Sequence, residues 1–381
     1  MSTHAAPPLA YLDHAATTPM RADAVEAMVA LLADGWGNPS GSHAVARRAR
    51  RALDEARDVV AASLGCQPAE VVFTAGGTEA DNLAVTGVVQ RRGGVAVCPA
   101  SEHHAVLHPV EHAKGRVVGV DGAGAVDLGA LAEALDDTVS IVSVMTANNE
   151  VGTVTDLAAV AEVVRTGAPG AVLHTDAVQA FTWLDVAAHA APADLVSVSA
   201  HKFGGPQGVG ALVVRTGVAL DALLLGGGQE HERRSGTQNL AGIVAMAAAM
   251  RAAVDERAAT VARVGALRDR LADGLLAMVP GLVETVPRAR KVAGACHVCI
   301  EGVESESLLF LLDRAGVAAS AASACASGAQ EASHVLAAMG VPRSLAAGAL
   351  RLSLGRDSTD ADVDAVLAVL PDVVVRLREA A

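Results

Sequence analysis

Apolar residues fall into short runs that alternate with longer segments of helical character. Seven runs rich in β-branched residues predict strands at Val71–Thr74, Val95–Cys98, Val117–Val120, Ser140–Met145, Ala171–Thr175, Leu195–Ser199 and Val209–Arg215. Helical segments follow many of them, at Glu79–Gln90, Ala105–Ala113, Leu128–Leu135 and Asp156–Val164. This alternation predicts an α/β fold with a mostly parallel sheet that is covered on both faces. Such a sheet binds ligands at the carboxyl ends of its strands.

A second, smaller domain is predicted after a long helical stretch. That stretch, Asn239–Leu276, has the length of a connector between domains. Beyond it, strands are predicted at His297–Glu301 and Ala349–Leu354, and helices at Glu306–Ala315 and Ala361–Ala380. The mixture of short strands and helices is typical of an α+β domain.

Composition and charge narrow the class of protein. Apolar residues make up 52% of the 381 residues, enough for a sizeable core, and the formal net charge of −13 argues against a general nucleic-acid binder. The basic cluster Ala46–Arg51 fits the solvated face of a helix. The longest apolar run, Leu240–Met250, is too short to span a bilayer, and Met1–Leu9 does not resemble a signal peptide. We therefore expect a cytoplasmic protein that does not bind membranes.

The five cysteines do not suggest a disulfide framework, because their number is odd and the chain is long. Cys296 and Cys299 could be read as a metal or redox pair. No second pair completes a zinc site, and the flanking sequence predicts a strand, on which residues three apart face opposite sides. We interpret this pair as structural and expect no metal site.

Lys202 is the first candidate for chemistry. It closely follows the predicted strand Leu195–Ser199 and precedes the Gly204-Gly205 turn. A lysine there can form a Schiff base with an aldehyde cofactor if burial lowers its pKa, although this feature taken alone favours a surface lysine at a turn. Asp176 ends the preceding strand, and such a carboxylate suits the ring nitrogen of pyridoxal phosphate (PLP). Gln179 follows within reach of the ring's phenolic oxygen.

A phosphate cradle is predicted at Thr74–Asp81, where a strand runs through Gly76-Gly77 into a helix. Backbone N–H groups at a helix N-terminus, together with the Thr78 hydroxyl, suit a phosphate. A glycine turn before a helix is common, so this feature is weak evidence by itself.

Taken together, the motifs resemble those of the NifS/IscS-like cysteine desulfurases, which are class-V aminotransferase-like PLP enzymes. In chain order the matching segments are Tyr11–Pro19, Gly37–Ser40, Gly77–Glu79, Glu102–Val106, Asn148–Glu150, Asp176–Gln179, Ser199–Lys202, Gly226–Glu230, Arg234–Thr237, Ser323–Cys325 and Arg351–Ser353. They cover nearly the whole chain. The resemblance implies a homodimer of the aspartate aminotransferase-like fold (PLP fold type I), with a seven-stranded sheet in a large PLP-binding domain at 16–255. A small domain at 1–15 and 256–381 would carry the catalytic cysteine.

The resemblance also implies roles for individual residues. Lys202 would form the Schiff base and take the substrate Cα proton, and His103 would stack on the ring and move protons. Arg351 would bind the substrate carboxylate, a task that suits a bidentate guanidinium, with Asn149 beside it. The implied cofactor contacts are Gly77, Thr78, Ser199 and His201 at the phosphate, Asn149 and Gln179 near the phenolic oxygen, Asp176 at the ring nitrogen, and Thr237 from the other subunit.

Cys325 would be the nucleophile that accepts sulfur. Small residues surround it, which favours a mobile loop, and an exposed cysteine near positive charge can hold a thiolate. The chain departs from the family pattern at a few positions: Ala321 and Ala322 replace Ser-Gly, Gly204 replaces a tyrosine, Gln207 replaces a lysine and Ala332 replaces a proline. None of these changes removes a catalytic group.

The expected function is therefore PLP-dependent removal of sulfur from L-cysteine, giving alanine and a persulfide on Cys325. The acceptor could be an iron–sulfur scaffold, a tRNA-thiolation enzyme or a biosynthetic sulfur carrier. A selenocysteine lyase or another PLP-dependent carbon–sulfur lyase would share every cofactor residue. A non-enzymatic scaffold is the remaining alternative, and the intact set of Lys202, Asp176 and Arg351 argues against it.

Overall fold

The computed structural model describes residues 9–321 and 333–380, so Cys325 lies outside the described residues. Helices in the described ranges are α1 Ala22–Ala33, α2 Ala44–Leu64, α3 Gly77–Arg92, α4 His104–His112, α5 Leu128–Glu133, α6 Leu157–Gly167, α7 Val186–His189, α8 Leu240–Met278, α9 Ser305–Arg314, α10 His334–Ala338, α11 Arg343–Ala346 and α12 Asp360–Ala380. Strands are β1 Ala10–Tyr11, β2 Val71–Thr74, β3 Val95–Pro99, β4 Arg116–Val118, β5 Val139–Ser143, β6 Val172–Asp176, β7 Leu195–Ser199, β8 Gly210–Val214, β9 Leu282–Glu284, β10 Ala295–Ile300, β11 Val317–Ala318 and β12 Ala349–Ser353.

The largest sheet has seven strands in the order β2-β8-β7-β6-β5-β3-β4. All neighbours in it are parallel except β8, which runs antiparallel to both β2 and β7. The prediction of a mostly parallel seven-stranded sheet is thus confirmed. Strands β5, β6 and β7 are neighbours and run parallel, so their carboxyl ends lie side by side.

Both faces of this sheet are buried, because successive strand residues point to opposite sides. On β6, Leu173 belongs to the core cluster that includes α2, α6 and the first part of α8. Its neighbour Val172 belongs to the cluster on the other face, with α3 and α4. The near-continuous apolar strands of the sequence follow from this two-sided packing.

A separate core surrounds the three-stranded sheet β12-β10-β9. The 39-residue helix α8 contributes to both cores: Ile243 and Met250 pack on the large sheet, whereas Val264 and Leu271 pack in the second core. The domain division at residues 255 and 256 stays a prediction. It falls within α8, between these two groups of buried residues.

The predicted elements agree with the structure to within a few residues. The predicted strand Ser140–Met145 is β5 and ends two residues earlier, at Ser143, but the chain stays beside β6 because the Thr146 N–H donates to the Asp176 carbonyl. The predicted strand Val117–Val120 is β4, which ends at Val118. The antiparallel direction of β8 was not anticipated.

Cys296 and Cys299 face opposite sides of β10, as predicted. Cys296 is buried in the core of the small sheet, and Cys299 packs in a different cluster with Val286 and Leu336. The arginines of the predicted basic cluster are exposed on α2. No helix in the described ranges has the length and apolar character to cross a membrane.

Candidate functional site

A cavity of about 390 Å³ opens at the carboxyl ends of β5, β6 and β7, beside the N-terminus of α3. Ten of the residues that the sequence nominated line it: Gly77, Thr78, His103, Asn149, Asp176, Gln179, Ser199, His201, Lys202 and Arg351. They come from strand ends and loops more than 270 residues apart in the chain. Nine of them converge because the parallel sheet brings the carboxyl ends of its strands to one edge, whereas Arg351 comes from β12 of the three-stranded sheet.

Lys202 lies just after β7, in a short 3-10 turn. Its ammonium donates hydrogen bonds to the carbonyl oxygens of Ala15 (2.5 Å) and Ala16 (2.8 Å). Burial, together with the nearby charge of Arg351, lowers the pKa of Lys202 to about 8. A lysine with that pKa is neutral far more often at physiological pH than an exposed one, so it can act as a base or nucleophile.

Asp176 is the last residue of β6 and is 7% exposed. One carboxylate oxygen accepts a hydrogen bond from the Val178 N–H at 2.8 Å. Burial raises the pKa of Asp176 to about 6, which leaves the group ionised above that pH. It therefore supplies a buried negative charge at the floor of the cavity.

A second carboxyl group, Asp81 on α3, lines the same cavity and is 1% exposed. Burial and the charge of Asp176 raise its pKa well above the ordinary value. Its Oδ1 lies 3.7 Å from the His174 Nε2 and has no hydrogen-bond partner among the described residues. His174 in turn contacts the hydroxyls of Ser143 (2.7 Å) and Ser197 (2.9 Å). Asp81 thus ends a buried polar chain beside Asp176.

The glycine turn before α3 leaves an open helix N-terminus against the cavity. Gly76 has φ 151°, a conformation that favours glycine, and no side chain in the described residues caps the helix. A Cβ on Gly77 would come within 2.7 Å of Val178 Cγ2. Small size is therefore required here, and the first N–H groups of α3 can face an anion.

His103 is the N-cap residue of α4, and its Nδ1 accepts a hydrogen bond from the Ala105 N–H at 3.1 Å. Burial and the charge of Lys202 lower the pKa of His103 to about 4. The imidazole is therefore neutral at physiological pH. Because Nδ1 accepts a hydrogen bond, its proton resides on Nε2.

Arg351, on β12, reaches the cavity from the second core and is held at two points. Its Nη1 donates to the Asn149 carbonyl oxygen at 2.9 Å, and its Nη2 donates to Asp13 Oδ1 at 2.8 Å. It is 6% exposed. Arginine keeps its charge in proteins, so it provides a fixed positive group for a carboxylate.

Comparisons with known proteins point to one family. The aminotransferase class-V profile matches residues 10–366. An IscS-like cysteine desulfurase of Mycobacterium tuberculosis is 46% identical over 98% of each chain, and the cysteine desulfurase IscS of Methanosarcina thermophila is 40% identical over 97% of this chain and 92% of that one. A solved NifS-like protein superposes with a TM-score of 0.90 at 33% identity, covering 97% of this chain and all of that one.

The chain belongs to the class-V aminotransferase family, among the NifS/IscS-like cysteine desulfurases. Two of the desulfurase positions nominated from the sequence do not line the described cavity. Thr237 is exposed, and the structure does not bring it to this chain's own cavity. Cys325 lies outside the described residues.

Sequence reasoning missed two polar residues of this desulfurase's site, Asp13 and Asp81. Asp81 lies one helical turn after Gly77, a spacing that could have placed it at the cavity. Asp13 stands in the quoted segment Tyr11–Pro19, but its contact with Arg351 spans 338 residues and leaves no local signal. The structure also gives a reason for glycine at position 204, where the family pattern has a tyrosine. Gly204 has φ 89°, which favours glycine, and a Cβ there would lie 2.6 Å from Arg21 Cγ.

Proposed function

We propose that this desulfurase removes sulfur from L-cysteine with bound PLP, releases alanine and retains the sulfur as a persulfide on Cys325. The observation that carries the proposal is the single cavity in which a base with lowered pKa, a buried carboxylate, a neutral histidine and an arginine meet. A cysteine carries an amine, a carboxylate and a thiol. The cavity offers a group suited to the first two, and Cys325 suits the third.

The residues present fit PLP. The open N-terminus of α3, the small Gly77, Thr78, Ser199 and His201 would hold the phosphate. Asp176 would hold a proton on the ring nitrogen, and Lys202 would bind the aldehyde carbon. When bound, PLP supplies an electron sink for the electron pair released at the substrate Cα.

Each polar group of the chain then has a task that its environment permits. Arg351 binds and orients the substrate carboxylate through charge-assisted hydrogen bonds. Lys202, once neutral, takes the Cα proton on Nζ, which its lowered pKa favours. His103 stays neutral and presents Nε2–H towards the cavity occupants.

Sulfur transfer requires the thiolate of Cys325. It attacks the substrate sulfur, so that an S–S bond forms while the Cβ–S bond of cysteine breaks. The electron pair of the broken bond stays with the carbon fragment, which takes a proton at Cβ, regains one at Cα from Lys202 and leaves as alanine. No outside oxidant or reductant is needed to form the persulfide.

The decisive experiment is Cys325→Ser in the PLP-loaded protein. We expect it to retain the bound-cofactor absorbance and to lose persulfide formation from L-cysteine, measured by mass spectrometry of the intact chain. Cys66→Ser, at a partly buried cysteine that follows the C-terminal end of α2 and does not line the cavity, is the matched control. Cysteine-dependent sulfide release at the unchanged rate in Cys325→Ser would refute the assignment of the nucleophile.

Substrate choice separates the desulfurase from the lyase alternatives. We expect L-cysteine to leave a persulfide, whereas efficient turnover of selenocysteine or S-alkyl cysteines without one would favour a lyase. A colourless protein that gains no visible absorbance after addition of PLP would favour a scaffold instead.

A cytoplasmic location is part of the same proposal. The four described cysteines are free thiols, which accords with the reducing cytoplasm.

We also propose a homodimer in which each cavity receives Thr237 from the partner subunit. Thr237 is exposed, so its side chain is available to another chain. The segment that carries it is anchored at the buried Glu230, which accepts hydrogen bonds from Arg57 and from the Phe73 N–H. The persulfide would then pass to a sulfur acceptor, either an iron–sulfur scaffold, a tRNA thiolase or a biosynthetic carrier. Pull-down with the persulfide-loaded protein would identify that acceptor.

A further inference from the structure

The guanidinium of Arg351 is restrained at both of its terminal nitrogens. One donates to the main-chain carbonyl of Asn149 and the other to the carboxylate of Asp13. The remaining nitrogen, Nε, is buried without a hydrogen-bond partner among the described residues. The two contacts lie at separate nitrogens, so together they fix both the position and the tilt of the planar group.

Counting donors shows what these contacts leave free. A guanidinium has five N–H groups, two on each terminal nitrogen and one on Nε. Asn149 and Asp13 each use one, so each terminal nitrogen keeps one N–H. A pair of parallel N–H groups on the two terminal nitrogens is the arrangement that binds a carboxylate with two hydrogen bonds.

The carboxylate of Asp13 is itself fixed by its main chain. The Asp13 backbone forms a parallel bridge with Ser353, two residues after Arg351, and the Ala15 N–H donates to the Ser353 hydroxyl at 2.9 Å. The Asp13 carbonyl accepts hydrogen bonds from the Tyr11 hydroxyl (3.1 Å) and the Ala16 N–H (3.0 Å). The Asp13 side chain therefore starts from a position with little freedom.

The same turn also contacts the other cation of the cavity. The carbonyl oxygens of Ala15 and Ala16 accept hydrogen bonds from Lys202, and Ala15 accepts a further one from the Gln179 amide at 2.7 Å. The segment Asp13–Ala16 thus touches three residues nominated for cofactor and substrate. Asp13 contacts Arg351 through its side chain, whereas Ala15 and Ala16 contact Lys202 and Gln179 through main-chain carbonyls. A side-chain substitution at Asp13 therefore acts first on Arg351.

We propose that Asp13 is a positioning residue for the substrate carboxylate: its hydrogen bond holds the Arg351 guanidinium so that one N–H on each terminal nitrogen faces the cavity. This rests on the proposed function, in which Arg351 binds that carboxylate. Asp13 does not line the cavity and acts through Arg351. Its effect should therefore be largest for ligands that carry a carboxylate.

The test compares ligands with and without a carboxylate on the PLP-loaded protein. Asp13→Ala removes the hydrogen-bond acceptor, whereas Asp13→Asn retains one oxygen that can accept from Arg351. For each variant, kcat and KM for L-cysteine are measured, together with inhibition constants of L-alanine and of cysteamine, which lacks the carboxylate. Asp273→Ala, which breaks an exposed pair with Arg288, is the matched control.

We expect Asp13→Ala to raise KM for L-cysteine and the inhibition constant of L-alanine by about tenfold, with kcat within about threefold. The inhibition constant of cysteamine should change less than about twofold, and Asp13→Asn should stay within about threefold of the unsubstituted protein throughout.

Three results would overturn the inference. They are unchanged values for L-alanine in Asp13→Ala, an equal loss for cysteamine, or an Asp13→Asn variant as impaired as Asp13→Ala. Arg351→Lys separates this from the proposed function. If Arg351→Lys leaves the L-alanine constant unchanged, the substrate assignment of Arg351 fails. If Arg351→Lys raises the inhibition constant of L-alanine and Asp13→Ala leaves it unchanged, only the positioning role of Asp13 fails.

Discussion

The side-chain nitrogen of Lys202 lies 2.8 Å from the carbonyl oxygen of Ala16, and burial lowers its pKa to about 8. Folding therefore disfavours the charged form of this lysine. An unfolded lysine titrates near pH 10.5, so the destabilisation is full below pH 8 and disappears as the pH rises through 10.5.

Lys202→Met should accordingly stabilise the cofactor-free protein at pH 7. We expect the free energy of unfolding to rise by about 1–2 kcal/mol at pH 7 and by much less at pH 10.5. Denaturant unfolding at both pH values measures this. Lys114→Met, at an exposed lysine, should show no such pH-dependent gain. Equal effects of the two substitutions would contradict the shifted pKa.

Asp176 should make PLP affinity depend on pH near 6. Because burial raises its pKa to about 6, the carboxylate gains a proton as the pH falls through that value and loses its attraction for a protonated ring nitrogen. Equilibrium dialysis should show that Asp176→Asn binds PLP about tenfold more weakly at pH 7.5, roughly 1.4 kcal/mol.

The difference in PLP affinity between the unsubstituted protein and Asp176→Asn should shrink below pH 6. Because the phosphate of PLP titrates in both proteins alike, its contribution cancels in this difference. Asp185→Asn, at an exposed residue remote from the cavity, is the control. A constant tenfold difference from pH 5 to pH 8 would show that the Asp176 charge is not what binds the ring.

Gly77→Ala should weaken PLP binding severalfold, because its Cβ would meet Val178 Cγ2 at 2.7 Å and displace the helix N-terminus. The double variant Gly77→Ala/Val178→Ala removes the opposing methyl group and should recover most of the affinity. Gly122→Ala, where a Cβ meets nothing within 4 Å, controls for the loss of glycine. Failure of the double variant to recover would mean that the contact with Val178 is not what makes Gly77 necessary.

Thr237 and Lys202 should complement one another between subunits. We expect the Thr237→Ala and Lys202→Ala homodimers to be impaired, whereas a mixed dimer should regain one working site, in which Lys202 comes from one chain and Thr237 from the other. Co-expression with two affinity tags isolates the mixed dimer. Its desulfurase rate should approach half that of the unsubstituted dimer. A mixed dimer with no more than about half the rate of the Thr237→Ala homodimer would place Thr237 at its own chain's site.

The sheet and most of the cavity could be predicted from sequence because both depend on local patterns. Apolar runs such as Leu195–Ser199 mark buried strands, and polar residues directly after them, such as Lys202, mark the edge where ligands bind. The direction of β8 carries no such local mark. Its antiparallel pairing with β2 and β7 depends on where the chain returns to the sheet.

Asp13 and Asp81 escaped prediction for different physical reasons. Asp81 is buried by α3 packing on the sheet, so its proximity to Asp176 exists only after tertiary folding. Asp13 meets Arg351 through the pairing of the first strand region with the last. In both cases the partner is distant in sequence, and residue type by itself could not distinguish these carboxylates from solvated ones.

The pairing of β1 with β11, and of Asp13 with Arg351, also sets the order in which the molecule can be completed. During synthesis the first residues leave the ribosome long before residues 317–353 exist, so Ala10–Asp13 cannot make these contacts until the end of the chain has been made. By contrast, all seven strands of the large sheet can pair once residue 214 has emerged. The candidate site is therefore completed last, and a truncated chain that ends before residue 351 would contain a complete large sheet but a cavity without Arg351.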